Sequence, residues 1–184
     1  MFTAAAHLFA EKGFDGVSMR EISELSQVSK PTIYYYFGSK EGIYRELLAA
    51  GFAYVQDKIR EIAEKEISVR EKLVELTRMF FAESIKHPDF VRFFFNLLSS
   101  APADRNLLCD LDKQKVGVQL LVQMIGEGIR NGEFGSGVDP ELAAEIFGGV
   151  IRHFVLKQLV SKEVILNDAL AGKIIDLLFK GLNE

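Results

Sequence analysis

A single cysteine, Cys109, no tryptophan and only four prolines stand in a chain of 184 residues. A lone thiol excludes a disulfide framework and any zinc or iron–sulfur site built from several thiolates. It fits a reducing compartment, so a cytoplasmic location is expected. No uninterrupted apolar run reaches the roughly 18 residues of a membrane span, and the opening MFTAAAHLFAEKGF carries neither a basic leader nor a cleavage pattern. No membrane partner is expected. Catalytic fingerprints are missing as well: GxSxG, GxxxxGK[ST], HExxH and GxGxxG do not occur. The chain also lacks a surplus of positive charge, with 22 Lys and Arg against 26 Asp and Glu, a net charge of -4. Any contact with a polyanion must therefore be local.

What is present is helical periodicity. Apolar residues recur at three- and four-residue spacing and never alternate for long at two, so an all-α chain of about nine helices is expected. The first spans roughly 2–12 and stops at Gly13; Ser18 and Glu21 form a capping box for the second, which runs to about Ser26. Ser29 caps the third, Pro31 fits its first turn, and Gly38 ends it. Ser39 caps a fourth helix expected to continue past Lys65, followed by helices at about 69–86, 88–99, 104–131, 139–160 and 164–182. Three short helices before a long one make a two-part layout.

Residues 18–37 place two capped helices around a tight link at Gln27 and Val28, the proportions of a helix-turn-helix. The stretch 27–40 contains Lys30 and Lys40 and no acid. In such a motif the second helix enters the major groove, which demands one apolar docking face and one face of donors and flat rings. Ile33 and Phe37 supply the first; Lys30, Thr32, Tyr34, Tyr35 and Tyr36 are left for the second or its rim. Three consecutive tyrosines cannot all be core.

The run VSMREISELSQVSKPTIYYYFGSKEGIYREL, with AAHLFAEKGFDG before it, resembles the helix-turn-helix signature of TetR-family transcriptional regulators over about 50 residues. The resemblance implies a DNA-binding domain over 1–45 joined by the long fourth helix to a ligand-binding and dimerisation domain over 46–184. It implies DNA contacts from Arg20, Ser29, Lys30, Thr32, Tyr34, Tyr35, Tyr36 and Lys40, the last on a phosphate. Pro31 departs from the glycine commoner in the family. An Arg- or Lys-bearing arm ahead of the first helix would also be expected, and it would add phosphate contacts.

Six of the fifteen phenylalanines, at 80, 81, 90, 93, 94 and 95, crowd around the HPD break. The resemblance implies a pocket for a small hydrophobic effector among the middle helices. Candidate walls are Phe80, Phe94, Leu97, Leu120, Met124 and Phe147, with Asn96, Gln123 and His153 as polar groups. Glu83 and His87 share a helical face as half a metal site would, but a histidine before Pro88 reads better as a helix-terminal cation. No metal, cofactor or catalytic residue is expected. In the last two helices Ile146, Val150, Phe154, Ile174, Leu177 and Leu178 cover more than one stripe, which predicts a two-fold dimer through an intermolecular four-helix bundle. The expected activity is that of a repressor released from its double-stranded operator by a hydrophobic effector. The alternatives from other classes are a helical carrier of hydrophobic ligands and a metal-dependent helical enzyme.

Overall fold

A computed structural model describes residues 1–99 and 111–182, with side chains over 1–96 and 116–180. Among the described residues there are nine α-helices and no strands: α1 (Phe2–Lys12), α2 (Met19–Ser26), α3 (Lys30–Phe37), α4 (Lys40–Ala63), α5 (Val69–Lys86), α6 (Pro88–Ser99), α7 (Leu111–Arg130), α8 (Pro140–Val160) and α9 (Asp168–Leu182). Cys109 and Pro102 lie outside the described residues, as does the side chain of Leu97. Among the described residues no helix is long and apolar enough to cross a membrane, and no group of three or more His, Cys, Asp or Glu side chains could hold a metal ion.

The chain divides into two compact units, Met1–Tyr54 with His87–Leu111, and Val55–Lys86 with Asp112–Glu184. The boundary falls inside α4. The first unit is therefore larger than the span 1–45, because α6 packs on α1 within it. Its core is aromatic. Phe9, Tyr44 and Phe93 lie with ring centroids 4.9–6.0 Å apart, two of the three pairs edge to face. Ala5 and Ala6 are fully buried on α1, and their small side chains let neighbouring helices approach.

In the second unit Val69, Leu76, Ile125 and Ile175 are sealed, and the buried hydroxyl of Thr77 donates to the Leu73 carbonyl at 2.8 Å. The α5 N-terminus is closed from a distance: the Glu133 carboxylate accepts from the Val69 and Arg70 amides at 3.0 and 3.2 Å, where the helix dipole favours negative charge. Lys72 is buried and reaches the Glu127 carboxylate at 3.4 Å.

Two helix limits differ from expectation, each for a local reason. Ser68 and Glu71 cap each other's segment at 2.7–3.2 Å, so α5 starts its own helix and α4 ends at Ala63 before reaching Lys65. At the other end, the Gln158 amide oxygen accepts from Ile165 and Leu166 at 2.8 and 3.2 Å, holding 164–167 out of helix until Asn167 caps α9.

Candidate nucleic-acid interface

Each helix of the motif is fixed at its start. Ser18 Oγ accepts from the Glu21 amide at 3.2 Å, and the Glu21 carboxylate accepts from the Ser18 amide at 2.8 Å and from Lys12 Nζ at 2.6 Å. The Ser18 box thus also ties α2 to the end of α1. Gln27 closes α2 in the left-handed region, φ 56, and Ser23 Oγ donates to the Val28 carbonyl at 2.7 Å, pinning the link. Ser29 Oγ then accepts from the Thr32 amide at 3.3 Å and opens α3. Gly38, φ 69, ends α3 with its amide on the Tyr34 carbonyl at 2.9 Å.

This frame turns α3 as its apolar spacing requires. Ile33 is fully buried and Phe37 half-buried, its ring 5.9 Å from Phe2. On the opposite side Tyr34 is 49% exposed, Tyr35 83% and Tyr36 71%, with the last two rings edge to face at 5.1 Å. Ser29, Lys30 and Thr32 are exposed beside them. Tyr35 and Tyr36 are thus covered by little of the unit, which leaves donors and ring faces on its surface.

The cations behave differently from one another. Lys30 is exposed. Arg20 is exposed too, but its Nε donates to Glu24 at 2.7 Å. Lys40 is half-buried, donates to the Phe14 carbonyl at 2.8 Å and sits 4.3 Å from the Phe14 ring centroid. It braces the α1–α2 turn against the start of α4. An ammonium carries three donors and this contact uses one, so a phosphate can still be held by the others. The bracing was not readable from the sequence, because Phe14 lies 26 positions away.

Residues 2–47 match the family model for bacterial regulatory proteins of the tetR family. Residues 2–47 thus carry the DNA-binding domain of TetR-family transcriptional regulators. Along 48% of its length it is 35% identical to the HTH-type transcriptional repressor NicS of Pseudomonas putida, and that alignment spans 42% of NicS. Over nearly the whole chain it is similar to the fatty acid degradation regulator FadR of Bacillus halodurans, with 26% identity, a TM-score of 0.84, and 99% and 97% of the two chains covered. FadR from Bacillus subtilis, solved in complex with stearoyl-CoA, superposes with a TM-score of 0.84 at 24% identity over 99% of this chain and 97% of that one. TetR regulators are DNA-binding proteins, not enzymes.

The residues expected around an effector pocket are divided between the two units. Phe94 and Asn96 belong to the first unit. There the Phe94 ring packs 5.2 Å from Phe52 and against Gly51, and Asn96 donates to the Ala10 carbonyl at 2.9 Å. Phe94 is half-buried and packs against the core of the first unit. In the second unit Met124 and Phe147 are buried, Phe80 and Leu120 half-buried, and Gln123 and His153 exposed. Of these only Phe147 lines an apolar cavity of about 200 Å³ whose other walls include Leu73, Ile125, Ile146, Ile175 and Leu178.

The expected dimer residues also divide. Ile146 and Leu177 are exposed, Leu177 at 71%, and Val150, Phe154 and Leu178 are half-buried. Ile174 is instead buried inside its own unit and has no surface to offer a partner. The cavity opens between α8 and α9, with Ile146 and Leu177 among its walls. Periodicity identified both apolar faces of α9 and could not say which faced inward.

Proposed function

We propose that the chain is a cytoplasmic, homodimeric repressor that binds a near-palindromic operator through α3 and leaves it when a small hydrophobic molecule occupies its second unit. The observation that carries this reading is the tyrosine face of α3, exposed beside Lys30 and Thr32 on a helix capped at both ends. A two-fold dimer through α8 and α9 would present two such helices about 34–36 Å apart, matching successive major grooves. The exposed Leu142, Ile146 and Leu177 support that pairing.

The apolar side chains that line the cavity support a hydrophobic effector, and the stearoyl-CoA bound to the Bacillus subtilis FadR makes long-chain acyl-CoA the first class to try. At about 200 Å³ the cavity falls below the 300–1,000 Å³ of most ligand pockets. An effector would therefore have to part the helices it enters, and tighter binding to the parted arrangement than to the closed one would supply the differential affinity a switch requires. A hundredfold loss of operator binding corresponds to about 2.7 kcal/mol of coupling.

The test is a fluorescence-anisotropy titration of the protein against the DNA upstream of its own gene, repeated with stearoyl-CoA and with free fatty acid. Saturable, salt-sensitive binding reversed by one of these supports the reading. A titration that stays flat at low salt, with tight uptake of the fatty acid, would make the protein a hydrophobe carrier instead.

A further inference from the structure

Arg20 and Glu24 lie one turn apart on α2, on the side opposite the buried Ile22, with Arg20 Nε donating to the Glu24 carboxylate at 2.7 Å. An exposed pair of this kind adds little to helix stability, and its order, cation before anion, is the less favourable one along a helix. A carboxylate on a surface that approaches phosphates is moreover repelled. Its presence there is better explained by what it does to the arginine.

We propose that Glu24 is a specificity-determining positioning residue, holding the Arg20 guanidinium by its Nε so that only the two terminal amino groups are offered, as a fixed fork, to a guanine edge. A free guanidinium has five N–H donors and meets an acceptor side-on or end-on; occupation of Nε removes the side-on mode. End-on, the two Nη groups match the O6 and N7 acceptors that guanine presents in the major groove. A lysine-like, unoriented cation would find phosphates as readily as bases. The carboxylate also disfavours unselective docking by its charge. Glu24 thus trades general affinity for discrimination. The inference rests on the reading of Arg20 as a DNA contact.

The experiment selects bound sequences from a pool of randomised duplexes of about 30 base pairs, enough for two half-sites, with the full-length protein and with Arg20→Ala, Glu24→Ala and Glu24→Gln, each checked for an unchanged melting temperature. Arg20→Ala is expected to abolish a guanine preference at one symmetric pair of positions. Glu24→Ala is expected to lower that same preference about tenfold, while affinity for unselected duplex holds or rises. Glu24→Gln, which keeps an acceptor oxygen, should fall between. If Glu24→Ala retains the original preference at the positions Arg20 reads, the positioning role is wrong. If Arg20→Ala alters no position although the unaltered protein selects a sequence, the inference falls with Arg20's place at the DNA, and operator binding itself stands.

Discussion

The Glu21 carboxylate joins three groups: the Lys12 ammonium, and the hydroxyl and amide of Ser18. The hydrogen bond from Lys12, then those from Ser18, pull its pKa from 4.5 to about 2. A group whose folded pKa is depressed adds stability that is complete above the unfolded value and drains away as pH falls through the folded one. The link between α1 and α2 should therefore weaken between pH 4.5 and about 2. Thermal melts followed by circular dichroism across that window should show a smaller acid-dependent loss in Glu21→Gln than in the unaltered protein; parallel curves would disprove the linkage. For Lys40→Ala two readouts are expected to move together. Binding to all duplexes should weaken alike, with the salt slope falling by about one, because a phosphate contact goes. The melting temperature should also drop, because the Phe14 carbonyl loses a donor worth about 1 kcal/mol. An unchanged salt slope would leave Lys40 as a brace only.

Within α3, neighbouring positions serve opposite ends. Ile33→Ala opens a cavity in a sealed core and should cost about 2–5 kcal/mol in chemical denaturation. Tyr35→Ala should change stability by less than about 0.5 kcal/mol, since the ring is in water, yet alter which duplex is preferred. Equal losses of stability from the two would mean that the tyrosine packs. In α4 the same logic applies to Gly51. A Cβ there would come within 2.2 Å of the Phe94 ring, which Phe52 and Phe93 hold in place. Gly51→Ala is expected to destabilise by about 1–3 kcal/mol through overpacking, read from a denaturant midpoint shift.

For the whole molecule the expectation is two copies. Sedimentation at micromolar concentration should give twice 20.6 kDa, and Leu177→Asp should shift it to a single copy by placing a charge on an exposed apolar position of α9. Operator affinity would then fall steeply, because each half-site would be bound alone. A dimer untouched by Leu177→Asp would move the interface off this face.

The local features of the DNA-binding unit were legible in the sequence because they act over four residues or fewer. Ser18 with Glu21, Ser29 with Thr32, and Gly38 set the helix ends, and the spacing of Ile33 and Phe37 set which way the tyrosines point. Contacts between distant residues decided the rest. Phe94 fits a pocket wall by composition, but Gly51 leaves a gap that its ring fills. Ile174 and Leu177 share one helix and one chemistry, and packing alone buries the first while leaving the second in water. An amphipathic pattern states how much apolar surface a helix must cover; which neighbour covers it is fixed only when helices far apart in the chain meet.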